Sequence, residues 1–198
     1  MIIELVKHYL DSNENWNNDV RLLTYHMSNV AICGYKYRWE LENGIKYPYS
    51  WKYMIGNAFE NSFMYYLSKE MEIERQKEIT FLHNGNTFKG HVDAYLPSLD
   101  TILELKATNS PIPKDIYYRQ IKAYMIAGNI PNGRLIIYDY IHNKMYENPV
   151  HVNKNDIELF TNNITAFENN DYVLGIENYL CQYCRNTDCI MHGKVVKQ

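Results

Sequence analysis

The chain has 198 residues, enough for one domain or one domain with a small appendage. Its 46% hydrophobic content, with nineteen tyrosines and six phenylalanines, supports a sizeable core in which many tyrosine rings are buried with their hydroxyls at the edge. A formal net charge of -3 argues against a protein that only coats nucleic acid by neutralising phosphates, though not against one whose carboxylates hold divalent cations. No basic leader with an apolar run and no membrane-length apolar stretch is seen, so a cytoplasmic protein without a membrane partner is expected. In that compartment four cysteines read as ligands rather than stable disulfides.

Residues 1 to 32 read as helical, with one apolar patch at Ile2, Ile3, Leu5 and Val6 and another at Leu22, Leu23, Tyr25 and Met27; Ser28 is placed to cap a short helix entering Cys33. Beyond Pro48, a helix is expected over 51–72, where Ile55, Ala58, Phe59, Ser62, Phe63, Tyr66 and Leu67 recur at three- and four-residue steps. From Thr80 the period becomes two: Phe88, Gly90, Val92, Ala94 and Leu96 alternate with Lys89, His91, Asp93 and Tyr95, as in a half-buried strand. A turn at 97–100 leads into a strand over 101–107. Pro111 and Pro113 then introduce a helix over 114–127, ended by Gly128. An apolar strand at 135–141 turns at His142-Asn143-Lys144 into a shorter strand ending near Val152. Asn155 is positioned to cap a helix with Ile157, Phe160, Ile164 and Phe167 on one face. The order predicts an α/β or α+β core with a mixed central sheet flanked by helices.

A turn centred between Ser98 and Leu99 sets Asp93 opposite Glu104 in an antiparallel hairpin, with Cβ atoms about 5 Å apart. Lys106, two residues on, shares their face. Opposed carboxylates repel unless something compensates, and a divalent cation such as Mg²⁺ or Mn²⁺ does so while retaining water and space for a phosphate oxygen. With a lysine to orient the attacking water or neutralise developing charge, the parts for phosphodiester hydrolysis are present. The plainer reading is a surface Glu104–Lys106 pair with Asp93 solvated.

Gly90-His91-Val92-Asp93 followed by Ile102-Leu103-Glu104-Leu105-Lys106 resembles the PD-(D/E)xK nucleases, in particular the RecB-type branch. The branch continues with a helix bearing Gln-x3-Tyr, which Gln120 and Tyr124 supply four residues apart on one face. The resemblance implies a restriction-endonuclease-like fold, with Gln120 and Tyr124 positioning the catalytic groups and the DNA. In the family's upstream Gly-x3-His pattern this chain has Gly56 and Glu60, so Glu60 stands where a histidine ligand is usual. The implied metal set is Glu60, Asp93 and Glu104, hard oxygen donors compatible with Mg²⁺ or Mn²⁺; a solvated Glu60 is the alternative.

Cys181, Cys184 and Cys189 are close enough in sequence to meet one centre, and Cys33 or His192 could complete it. Four thiolates suit a four-iron four-sulfur (4Fe-4S) cluster or tetrahedral Zn²⁺. One cysteine near the N-terminus and three near the C-terminus resemble the CRISPR-associated four-cysteine RecB-like exonuclease family. That resemblance implies a structural 4Fe-4S cluster on all four cysteines, clipping the N-terminal region to the tail. It also implies DNA as substrate, single-stranded or at ends, with CRISPR integration proteins or a second copy of the chain as candidate partners. The expected organisation is a single nuclease domain, with 51–152 as nuclease core and 1–50 with 153–198 as a cysteine-linked helical subregion. Lys36, Arg38, Lys46, Lys52, Arg119 and Lys122 are candidates for a basic approach, and Tyr35, Tyr37, Trp39 and Trp51 for stacking on unpaired bases. A solvated basic face over an aromatic core is the preferred reading for most of them. The rival functions are a catalytically silent DNA-end-binding or assembly subunit, and a viral or plasmid nuclease of replication, recombination or anti-defence.

Overall fold

The period-two pattern around Val92 builds the strand on which the rest is arranged. The computed structural model describes residues 24–45, 51–171 and 177–193. The expected apolar patch at Ile2 to Val6, Leu22, Leu23, Lys46 and Pro48 lie outside the described residues, as do the side chains of Trp51 and Lys52. Strand β1 is Thr24–His26, and helix α1 is Met27–Glu42. Helix α2 is Trp51–Glu70, followed by β2 (Glu74–His83) and β3 (Asn86–Leu96). Then come β4 (Thr101–Thr108), α3 (Asp115–Gly128), β5 (Asn132–Asp139), β6 (Lys144–Val150) and α4 (Lys154–Asn169).

The six strands form one mixed sheet. Along one edge β3 pairs antiparallel with β2 from Asn86 to Tyr95. Its other edge is shared: β1 runs parallel to Thr87–Lys89, and β4 runs antiparallel to Ala94–Leu96. Residues 90–93 lie between these two ladders, so the sheet is split there. β4 pairs parallel with β5, and β5 antiparallel with β6. Helices α1, α3 and α4 cover one face, where Val30, Phe88, Val92, Ile102, Ile121, Leu135, Ile164 and Phe167 form the larger cluster. Helix α2 covers the other, packing Met64, Phe59, Phe63 and Leu67 on Ala94, Leu103, Leu105 and Ile136. Each fully buried aliphatic or aromatic side chain here contributes about 1.5–3 kcal/mol. Among the described residues no helix is long and apolar enough to cross a membrane.

The mixed α/β architecture agrees with the sequence, and the paired residues Ala94↔Leu103, Tyr95↔Ile102 and Leu96↔Thr101 keep the expected hairpin register up to the point where the ladder ends, one residue short of Asp93. Several local expectations are corrected. Residues 24–26 are a strand rather than helix. His26, not Ser28, precedes α1, and no side chain caps it. Cys33 breaks α1 with φ -165° and ψ 102°. The stretch before β3 is a separate strand, closed by an Asn84-Gly85 turn with φ of 46° and 80°, the left-handed pair that a two-residue hairpin requires. Gly128 lies inside α3, and Asn129 ends it in left-handed conformation. Asn153, not Asn155, caps α4 in a reciprocal box with Asp156.

Two apolar faces also differ from expectation. On α2, Ile55, Ala58, Ser62 and Tyr66 are exposed, while Met64, outside the predicted stripe, is fully buried. On α4, Ile157, expected on the apolar face, is 48% exposed. In β3, Phe88 and Val92 lie in the larger cluster but Ala94 and Leu96 in the smaller one. Strict alternation would keep all four on one face, so the strand rotates near Asp93. Gln76, between the partners of Ala94 and Val92 on β2, has φ 50°, a conformation that locally turns the paired strands.

Candidate active site

Asp93 stands where the β3–β4 ladder opens. Instead of a backbone carbonyl, its Oδ2 accepts the Leu105 N–H at 2.7 Å. Glu104 and Lys106 leave β4 on the face of Ile102, beneath α3. Lys106 Nζ donates to Glu104 Oε1 at 2.5 Å and lies 5.6 Å from the centre of the Tyr117 ring. Glu104 is 1% exposed, and its Oε2 is buried without a hydrogen-bond partner.

The charges are strained. Burial and then the neighbouring Glu104 push Asp93 up to about 8, against the opposing pull of Lys106 and the Leu105 N–H. Burial also raises Glu104, partly offset by Lys106. For Lys106 burial works downward, but Glu104 and Asp93 outweigh it and hold the ammonium above its ordinary value. Two acids share one lysine in a poorly solvated place, so full ionisation of both would leave excess negative charge there.

Glu60 approaches from α2, near enough to raise both acids, and its Oε1 accepts Gln76 Nε2 at 2.7 Å. The φ 50° of Gln76 thus turns the strand and places an amide on Glu60. From α3, the Tyr124 hydroxyl is hydrogen-bonded by Ser28 and Gln120. Burial and then Glu104 push it up to about 12, so it remains a neutral phenol. Its ring lies over Gly90, where an added Cβ would come within 2.6 Å of Tyr124 Cε1. Asp93, Glu104, Lys106, Gln120 and Tyr124 are therefore brought together, with Glu60 at the margin. Ser28, Gln76 and Tyr117 escaped the sequence analysis as members of this group, since only tertiary packing brings them there.

Among the described residues no three His, Cys, Asp or Glu side chains form a closed metal-holding group. Lys106 takes one Glu104 oxygen and Gln76 one Glu60 oxygen. The orphaned Glu104 Oε2 beside a second carboxylate nevertheless fits a hard divalent cation, which would satisfy that oxygen and offset the excess charge.

The cysteines converge at the break in α1. Cys33, Cys181, Cys184, Cys189 and His192 line one cavity, and all four cysteines are free thiols. Asn178 Nδ2 donates to the Ile32 carbonyl, and Arg119 donates to both the Ile32 and Glu177 carbonyls, binding the tail to α1. Burial pushes Cys33 up to about 11, with Cys181 and Cys189 near enough to raise it further. Thiol and imidazole are the donor types of thiolate-bound metal centres, although among the described residues no three of these side chains stand as a metal-holding group. The suggested basic approach is mostly neutralised: Lys36 pairs with Glu40, Arg38 with Glu42, Arg119 with Asp115 and Lys122 with Asp156. Tyr37, proposed for base stacking, is 4% exposed and packs on Phe167.

The six-stranded mixed sheet flanked by helices matches the fold of solved exonuclease structures. No protein-family model matches the chain, and no curated protein matches it in sequence. Among solved structures, the protein SSO0001 superposes with a TM-score of 0.67 at 17% identity, over 93% of each chain. The alkaline exonuclease LHK-Exo of Laribacter hongkongensis matches with a TM-score of 0.57 at 14% identity, over 76% of this chain and 89% of that one. A phage-related exonuclease from Haemophilus somnus matches with a TM-score of 0.52 at 14% identity, over 73% and 79%. LHK-Exo has also been crystallised with dAMP. At these identities the likeness concerns the fold.

Proposed function

We propose that the chain is a metal-dependent DNA nuclease acting on single strands or DNA ends. The observation that carries this reading is the orphaned, fully buried Glu104 Oε2 beside Asp93 and Lys106, at the split of a sheet shared with exonucleases. Asp93 and Glu104 would hold Mg²⁺ or Mn²⁺, with Glu60 as an outer carboxylate. The bound cation supplies acidification of a water and neutralisation of charge on the phosphate.

The chain's own groups do the rest. Lys106, kept protonated by Glu104 and Asp93, is a donor for a phosphate oxygen or the attacking water. Tyr124, kept neutral and hydrogen-bonded by Ser28 and Gln120, walls the site beside Glu104 and Lys106. The four cysteines would hold a 4Fe-4S cluster, with Zn²⁺ as the other thiolate-compatible occupant, and would fasten the tail to α1.

With Mg²⁺ or Mn²⁺ the purified protein is expected to degrade end-labelled linear DNA while sparing closed circles. Lys106→Ala should reduce the rate on the order of 100- to 1,000-fold, the scale for losing one preorganised donor to a developing charge. Equal cleavage by Lys106→Ala and wild type would remove lysine from the mechanism. Retention of DNA without metal-dependent cleavage would favour a silent end-binding protein.

A further inference from the structure

Hydrogen-bond donors surround the sulfurs of the cysteine cavity. The Asn178 N–H donates to Cys181 Sγ at 3.4 Å. The Lys36 N–H serves Cys33, and the Asn186 N–H serves Cys184. Such N–H to sulfur bonds favour thiolate over thiol and stabilise negative charge on a metal-bound sulfur.

Asn186 adds a donor that has no acceptor. It is 0% exposed and lies in the cavity wall with the four cysteines. Its Oδ1 accepts the Asp188 N–H at 3.1 Å, which fixes the orientation of the amide. Nδ2 is thereby left as a buried donor without a partner. A buried amide donor left unmet is costly, so such an atom needs an explanation. The turn explains only Oδ1. Cys184 and Cys189 flank Asn186 in sequence, and the cavity it lines with Tyr35, Asn178 and His192 is also lined by all four cysteines.

We propose that Asn186 is a positioning and tuning residue of the cysteine centre, its side-chain amide donating to a sulfur of the thiolate-bound group. This rests on the cysteine reading above. Partners of metal ligands typically affect metal affinity 10- to 100-fold when removed.

Asn186→Asp preserves the acceptor for the Asp188 N–H but removes the donor. Asn186→Ser retains a short hydroxyl able both to accept in the turn and to donate. The three full-length proteins, reconstituted with iron and sulfide or loaded with zinc, are assayed for metal content and for release to EDTA. Asn186→Asp should lose metal about 10-fold faster than wild type or more, with Asn186→Ser between them. In iron-loaded protein the midpoint potential of Asn186→Asp should shift to a more negative value, because the donor that stabilises the reduced, more negative centre is gone.

Wild-type release and unchanged potential in Asn186→Asp would overturn the inference while leaving the cysteine centre intact. If Asn186→Asp accepts no metal, Asn186→Ala, which removes the donor without adding a charge, decides: release faster than wild type supports the donor, release equal to wild type rejects it. Wild-type protein that binds neither iron nor zinc would overturn the cysteine reading and this inference together.

Discussion

Asp93→Asn is expected to lower DNA cleavage on the order of 1,000-fold and, in metal-free protein at pH 8, to raise the melting temperature. The two outcomes have one cause. Folding places Asp93 beside Glu104 in a poorly solvated gap, which raises its pKa to about 8. In the unfolded chain an aspartate ionises near its ordinary value of about 3.9. Between roughly pH 4 and 8 the folded state therefore keeps a proton that the unfolded state has lost, so this group's contribution becomes less favourable as pH rises. Above about pH 8 both states are ionised and the full destabilisation is present. Asparagine can still accept the Leu105 N–H but carries no charge. Relief on the order of 1 kcal/mol corresponds to about 2–4 °C in a chain of this size. Thermal melts from pH 5 to 9 with a chelator would show the wild-type disadvantage widening with pH. A variant less stable than wild type at pH 8 would contradict the strained-acid account, whatever its activity.

Gly34→Ala is expected to damage the fold more than any conservative change at the acids. A Cβ on Gly34 would stand 1.8 Å from the Asn163 carbonyl oxygen and 2.8 Å from its carbon. Both are backbone atoms of α4, so no side-chain rotation relieves the clash. The same contact is held by polar groups: Asn163, 0% exposed, accepts the Gly34 N–H and donates to the Ala31 carbonyl across the break at Cys33. Overpacking of this kind costs about 3 kcal/mol or more, or about 6–12 °C, and should loosen the cysteine cavity at the neighbouring residue. Gly90→Ala is the useful contrast. Its clash is with the Tyr124 ring, which can rotate, so stability should fall less while cleavage suffers as Tyr124 leaves Ser28 and Gln120. Equal melting temperatures for wild type and Gly34→Ala would show that α1 and α4 do not approach this closely.

Much of the acid–lysine group was legible in sequence, because a hairpin's register follows from its turn, and Pro97 with Asp100 marks that turn. Helix α3 was legible from its periodicity, which puts Gln120 and Tyr124 on one face. Asn84-Gly85 carried a hairpin signal that the longer alternation around Val92 obscured. Similarly, Asn153 and Asp156 spell a capping box two residues ahead of the expected cap. The rotation at Asp93 had no local sign, since it accompanies a left-handed glutamine on the partner strand. The position of Ser28 against Tyr124 depends on packing between α1 and α3 and could not be read from spacing. On α2, exposed Tyr65, Tyr66 and Ile55 blurred the pattern that buries Met64.

The bond from the Leu105 amide to Asp93 has a practical consequence. Where other positions of this ladder use a carbonyl, one main-chain N–H is tied to a titrating carboxylate. Its NMR resonance should follow the ionisation of Asp93 and move again when a cation competes for the same oxygens. Leu105 is thus a spectator at the centre of the sheet that reports the charge state of the site without a label, a substrate or a turnover.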